Sequence, residues 1–284
     1  MKEFLDGMAD RIDRVLIDDG IRGRCSGGTV THRFIRFDLE TTDRRVLAMG
    51  EAFTKAIGRP SKVAIVNHGI VIEVSKEAAP LTLATLHKMI KRVPLLTAAL
   101  GIDEDGRPLL LRIPAADVGN VLINGPGRPA HLLRTMIASL ATYNEPANMG
   151  VALACRGQEC EALATFPHLW GDRSTPARLL GQVASEISRR QRDSINHRAI
   201  MVAIDDISDA PADLVATIAK QGPGLGVYTL AVGNAEGFNV TLRATGEAGR
   251  FKLLHGGESI AFDAAWVAPQ NATMKSVKQP DSLR

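Results

Sequence analysis

A chain of 284 residues, 45% of them hydrophobic, can fill one large core or two ordinary ones, which excludes a disordered polypeptide. The 34 Lys and Arg against 31 Asp and Glu, a net charge of +3, exclude a strongly polybasic or polyacidic protein and permit nucleic-acid binding without requiring it. No apolar run reaches the length of a bilayer span, and the start MKEFLDGMADRID is unlike a secretory leader, so a cytoplasmic location is expected. Cys25, Cys155 and Cys160 make an odd count without a CxxC pair, which suits reduced thiols rather than a metal site.

Phe4, Met8, Ile12 and Leu16 recur four apart, so residues 1–19 are expected to form an amphipathic N-terminal helix. Gly20 to Gly28 reads as a loop. Val30 to Leu39 then alternates, with Ile35, Phe37 and Leu39 on one face and Arg36 and Asp38 on the other, as in a half-buried strand. A helix from about Asp43 to Ile57 ends at Gly58 before Pro60. Val63–Val66 and Ile70–Val74 flank Asn67-His68-Gly69 as a hairpin. Together these make a small α+β domain over residues 20–78, followed by a polar bridge from Lys76 to Pro80.

Residues 79–267 read as a larger α/β domain. A helix is expected from about Leu83 to Ala99, interrupted at Pro94. Asp103-Glu104-Asp105-Gly106 is a solvated acidic turn, and Leu109 to Ile113 a strand. Apolar runs at Val121–Ile123, Gly150–Ala154, Ile200–Ile204 and Val227–Ala231 then alternate with helices, which calls for crossovers and a mainly parallel sheet covered on both faces. The helix from Thr175 has Ser174 or Thr175 to cap it, Pro176 in its first turn, and Leu179, Leu180, Val183 and Ile187 facing inward; Glu186 precedes Arg190 by one turn. Arg250–Leu254 and Ile260–Val267 are strands, and residues 268–284, rich in Pro, Asn, Gln, Ser and Lys, are expected to be a flexible tail.

The stretch NVLINGPGRPAHLLRTMIASLA, from Asn120 to Ala141, is strand, glycine loop and helix, the arrangement that cradles phosphate in nucleotide-binding α/β proteins. A G-x-x-x-x-G-K-[ST] loop counted from Gly125 finds Ala130, His131 and Leu132 where a second glycine, a lysine and a magnesium-binding hydroxyl belong. Ala130 adds a Cβ, His131 an imidazole in place of an ammonium, and Leu132 no ligand atom. Pro126 and Pro129 remove two amide donors from the cradle around Gly127 and Arg128. The loop reads either as a degenerate nucleotide site or as an ordinary strand-to-helix turn.

The segment resembles the phosphate loop of the FtsK/SpoIIIE family of DNA translocases, with Leu132-Leu133-Arg134-Thr135 matching that family's helix start and the loop about two residues short. Further matches follow in the family's order. Thr31–Leu39 and Ile70–Val74 are similar to strands of its α-domain. Gly101-Ile102-Asp103-Glu104-Asp105-Gly106-Arg107-Pro108 fits its G-x-D-x-x-G-x-P, Phe166-Pro167-His168-Leu169 its I-P-H-L, Ser188-Arg189-Arg190 its E-R-R, and Ile204-Asp205-Asp206 its I-D-E. The resemblance spans roughly Gly20 to Val267 and implies an α-domain followed by a RecA-like P-loop-NTPase-type motor core. It implies ring-forming oligomer contacts as well. The family's winged-helix domain has no counterpart in the sequence.

At the motor site the resemblance also shows what is missing. Asp205 and Asp206 stand where an Asp orients magnesium-bound water and a Glu activates the attacking water, although the pair serves equally well as a helix cap beside Ser208 and Asp209. Cys155-Arg156-Gly157 replaces Asp-Pro-Lys, Ala231-Val232-Gly233-Asn234 replaces the γ-phosphate-sensing Ala-Thr-Gln-Arg, and Pro223-Gly224-Leu225-Gly226 replaces Arg-Ala-Ala-Gly. Lysine, hydroxyl, sensor and arginine lost together leave little to stabilise a transferring phosphoryl group. The expectation is therefore a protein of this class that has lost ATP binding and hydrolysis, with no cofactor and with Asp205 and Asp206 vestigial. It would serve as a homo- or hetero-oligomeric ring, DNA-associated or beside an active ATPase. Two alternatives stand: an ATP- and magnesium-dependent translocase in which Arg128 replaces the lysine and Asp206 is the base, and an assembly scaffold without DNA. Arg22, Arg24, Arg33, Arg36, Arg189, Arg190 and Arg192 are the arginines available to phosphate.

Overall fold

The computed structural model describes residues 2–66, 69–76, 80–155, 163, 165–172, 174–193 and 198–267. Asn67-His68, residues 77–79 of the polar bridge, Arg156-Gly157 and the tail 268–284 lie outside the described residues. The chain divides into two compact units, Met1–Ala79 with Glu104–Gly106, and Pro80–Asp103 with Arg107–Arg284.

In the first unit, helix α1 (Lys2–Asp18) buries Met8, Ile12 and Leu16, as their four-residue spacing predicts. They share a core with Ile35, Phe37, Leu39, Phe53 and Ile72. The sheet is antiparallel, ordered β1 (Arg24–Val30), β2 (Phe34–Glu40), β4 (Gly69–Ser75), β3 (Ser61–Val66). β2 alternates as expected and the β3–β4 hairpin is present. Two elements differ from expectation. The Gly20–Gly28 loop contains β1, an almost wholly exposed edge strand whose polar, glycine-rich sequence carries no apolar alternation. The Asp43–Ile57 helix is a 3₁₀ turn (Arg44–Ala48), capped by Asp43, followed by α2 (Gly50–Ile57). Arg36 does not remain open to phosphate, because its guanidinium is buried against Glu73 at 2.8 Å, with Lys62 on the other carboxylate oxygen at 2.9 Å.

The second unit is built on a nine-stranded sheet. Five strands run parallel in the order β8 (Met149–Ala154), β9 (Ala199–Ile204), β10 (Val227–Val232), β7 (Asn120–Asn124), β11 (Val240–Ala244). Antiparallel β12 (Arg250–His255), β13 (Glu258–Ala264), β5 (Thr97–Asp103) and β6 (Pro108–Arg112) extend it. The expected second half of the Leu83–Ala99 helix is instead β5: α3 spans only Leu83–Met89, and Pro94 together with a left-handed Leu96 (φ 56°) separates it from the strand. A buried apolar run such as Thr97–Ile102 has no period that distinguishes strand from helix.

The sheet is covered on both faces. Val121, Ile123, Met201 and Leu230 pack against α4 (Ala130–Tyr143) through Leu133, Met136 and Ile137. Ile200, Val202, Ile204 and Ala231 face α5 (Pro176–Arg192) and α6 (Ala212–Gln221) through Leu180, Val183, Ile187, Val215 and Ile218. Thr175 caps α5 by accepting from the Arg178 amide, with Pro176 in the first turn. This is an α/β fold: one unit has a P-loop-NTPase-type core and the other a smaller antiparallel sheet.

Candidate functional site

The strand order brings the three suspect segments to one edge. The glycine loop leaves the carboxyl end of β7, Gly233-Asn234 that of β10, and Asp205-Asp206 that of β9, so neighbouring strands place them within ~10 Å of one another. This carboxyl edge is where open α/β sheets bind ligands.

The glycine loop has the turns of a phosphate cradle without its donors. Gly125 (φ +102°) and Gly127 (φ +89°) are both left-handed. A Cβ on Gly125 would lie 2.6 Å from the carbonyl oxygen of Ala244, so this glycine is required by close packing against β11; one on Gly127 meets nothing within 4 Å. Pro126 and Pro129 carry no N–H, and the amides of His131 and Leu132 donate to the carbonyls of Arg128 and Pro129 at 3.1 and 3.0 Å. Arg128 is exposed, Ala130 and His131 are half-buried, and Leu132 is 1% exposed within the main core. These residues do not fit a magnesium nucleotide: residues 125–132 contain no lysine and no hydroxyl side chain, and the amides at the helix start are bonded internally.

The paired carboxylates separate. Both follow the end of β9 at Ile204, and Asp206 but not Asp205 lines the cleft on the side of α6. Asp205 is half-buried. Asp206 caps the 3₁₀ turn Ile207–Asp209, accepting from the Ser208 amide at 2.9 Å and from its hydroxyl at 2.7 Å. These bonds hold its carboxyl below the usual carboxylate range. The position of the sensor glutamine is Gly233 (φ +131°), where a Cβ would lie 2.6 Å from Cγ2 of Ile207.

By contrast, the surviving motif residues hold elements together. Thr135 donates to Ala265 O at 2.9 Å and Arg134 to Val267 O, fastening α4 to the segment after β13, while Leu132 and Leu133 fill the core beneath it. A Cβ on Gly101 would fall 1.9 Å from Asp263 O, so only glycine permits β5 to cross β13 there. Asp103 accepts from the Arg107 amide at 2.8 Å, closing the turn that ends at Pro108. His168 is buried, its Nε2 2.7 Å from Asn144 O at the end of α4, and burial pushes its pKa down. Its own carbonyl accepts from Val151 N at 2.7 Å, adding the Phe166–Leu169 segment to the edge of β8.

Arg190, 3% exposed in its side chain, donates to Glu186 (2.8 Å), Leu225 O (2.8 Å) and Arg198 O (2.7 Å); Arg189 lies on the surface with Glu186 and Asp193. Arg190 is therefore withdrawn from any phosphate. Hydrogen bonds from Arg189 and then Arg190, against the cost of burial, hold the Glu186 carboxyl at about 2. Cys155 is disulfide-bonded and Cys25 is free, which corrects the expectation of three reduced thiols; Cys160 lies outside the described residues.

Sequence reasoning missed a cleft of about 570 Å³ on the other face of the same edge, between α6 and the loop 233–238. Its apolar wall is Ile207, Ala212, Val215, Ala216, Ala219 and Phe238, and Asp206, Ser208, Asn234 and Glu236 supply its polar groups. The only available signal was apolar residues at positions 212, 215, 216 and 219, which read as an ordinary core stripe.

No protein-family profile and no curated protein sequence matches the chain. Solved structures do match its fold. The pCW3 conjugation coupling protein TcpA, in monomer form with ATPγS, aligns with a TM-score of 0.55 and 11% identity over 94% of this chain and 98% of that one. The cytoplasmic domain of the type VII secretion ATPase EccC of Thermomonospora curvata aligns at 0.52 and 19%, over 66% of this chain and 32% of that one. ATPases 2 and 3 of EssC from Geobacillus thermodenitrificans align at 0.54 and 14%, over 75% and 56%. The chain thus spans about a third to just over half of these secretion ATPases. The fold is that of the P-loop ATPases found in conjugation coupling and type VII secretion proteins. Among the described residues no helix is long and apolar enough to cross a membrane.

Proposed function

We propose that this chain is a non-catalytic, FtsK-like subunit: it keeps the frame of a RecA-like motor but neither binds nor hydrolyses ATP, and it assembles into a ring, alone or beside an active ATPase. The observation that carries this reading is that no residue from Gly125 to Leu132 offers an ammonium or a hydroxyl, whether the loop is counted from Gly125 or back from the helix start at Leu132. The prolines of the loop, the internally bonded amides of His131 and Leu132, and the engagement of Asp206 with Ser208 support it. DNA association rests on the resemblance to translocases and on exposed arginines such as Arg22 and Arg192.

The test is a titration of the purified chain with a fluorescent adenine nucleotide and Mg²⁺, paired with mass measurement with and without duplex DNA. The expected result is no nucleotide binding at micromolar concentration together with an oligomeric mass. Micromolar affinity, or DNA-stimulated ATP hydrolysis abolished by Asp205→Ala, would replace this reading with that of an active translocase in which Arg128 holds phosphate.

A further inference from the structure

The cleft beside α6 shares Asp206, Gly233 and Asn234 with the candidate nucleotide site but opens on the opposite face of the sheet from α4 and the glycine loop's helix. Its floor is a helical stripe, Ala212, Val215, Ala216 and Ala219, about 10 Å long at 1.5 Å per residue, faced by Phe238 and Ile207. Ala216 is exposed, so a guest can approach the helix backbone without displacing a long side chain. Gly233 brings the end of β10 against Ile207 and so fixes the closed end of the cleft.

The charged residues that line it have one sign, and the nearest cation on α6 is the exposed Lys220 of its last turn. Asp206 and Glu236 line the cleft, and Asp209 and Asp213 stand exposed in the 3₁₀ turn and first helical turn that flank it. No Lys or Arg is among the lining residues. Phosphate is repelled by such a rim, which argues against nucleic acid at the ends of β9 and β10 even if DNA binds elsewhere. An apolar trough with a carboxylate rim complements the opposite pattern, an apolar side chain between cationic ones.

We propose that this cleft docks a short polypeptide segment in which a leucine-sized side chain, seated between Val215, Ala216 and Phe238, is flanked by lysine or arginine facing Asp206 and Glu236. Docking is independent of nucleotide, so its outcome and that of the nucleotide titration are separable.

The full chain is titrated against the fluorescein-labelled heptapeptide Lys-Ala-Leu-Lys-Ala-Leu-Lys at low salt, with fluorescence anisotropy as the readout. Saturable binding is expected, weakened at least ~10-fold by Ala216→Arg, which fills the trough and reverses its charge, and ~2–3-fold by Glu236→Gln. The heptapeptide with Glu in place of Lys does not bind. Circular dichroism and melting confirm that Ala216→Arg folds; Glu236→Lys, in an exposed loop, gives the same loss should it not. The proposal is overturned if binding is absent, if neither charge-reversing variant alters it, or if a single- or double-stranded oligonucleotide displaces the peptide competitively.

Discussion

Leu132→Ser restores the hydroxyl that a phosphate loop requires and so opposes two demands on one position. Leu132 is 1% exposed and packs in the core that joins α4 to β7 and β10. Truncating a buried leucine costs about 2–5 kcal/mol through lost transfer energy and the cavity left behind. The new hydroxyl is buried as well; a bond to the carbonyl one turn back at Arg128 offsets part of its desolvation, so the net expectation is a loss of about 3–5 kcal/mol. Both tryptophans, Trp170 and Trp266, lie in the second unit, so urea unfolding followed by their fluorescence reports on this unit alone. With a slope of ~2–3 kcal/mol/M the midpoint falls by roughly 1–2.5 M. Nucleotide binding does not appear, even with Ala130→Gly and His131→Lys added, because the prolines and the internally bonded amides remain. A midpoint shift under ~0.4 M, about 1 kcal/mol, would show that Leu132 is not held by the core.

Two further expectations use the same assay. Arg190→Met leaves the carbonyls of Leu225 and Arg198 and the Glu186 carboxylate short of a donor and costs about 3–5 kcal/mol, whereas Arg189→Met, which removes a half-exposed pair with Glu186, costs under about 1 kcal/mol. The Glu186 carboxyl sits at about 2 against an ordinary 4.5, so its stabilisation is complete above pH 4.5 and is lost as pH falls toward 2; Glu186→Gln flattens that acid limb. An Arg190→Met cost below ~1 kcal/mol, or an acid limb unchanged by Glu186→Gln, would contradict this account. Gly125→Ala costs about 2–3 kcal/mol from a left-handed backbone and a contact 2.6 Å from Ala244 O, and Gly127→Ala costs less because its Cβ meets nothing; equal effects would mean that Gly125 is not held by β11.

The parallel strands were legible because burial on both faces makes each a continuous apolar run bounded by turn residues, as at Val121–Ile123 and Ile200–Ile204. The same property hid β5: Thr97–Ile102 is as apolar as a buried helix, and Leu96 gave no sign of its left-handed backbone. β1 was hidden for the opposite reason, since an exposed edge strand of sequence RCSGGTV has no face to alternate. Within the candidate site, the missing donors at Pro126 and Pro129 were readable from residue type alone. That Leu132 faces the core and that Asp206 but not Asp205 lines the cleft were not, because each depends on how a strand or helix is rotated within the fold.

The motif residues that made the resemblance visible share one physical property. Gly101, Asp103, Leu132, Leu133, Arg134, Thr135, His168 and Arg190 each pack in the core or bridge two segments by hydrogen bonding or close approach, so replacing any of them costs stability throughout the second unit. The residues that are absent, a lysine, a hydroxyl, a glutamine sensor and an arginine, would in a working motor touch mainly phosphate, metal or water. The fold stands without them, and at Gly233, where the resemblance places the glutamine, close approach to Ile207 leaves no room for a side chain. A resemblance carried by frame residues is therefore evidence about architecture, and in this chain the chemistry must be judged from the positions where the resemblance fails.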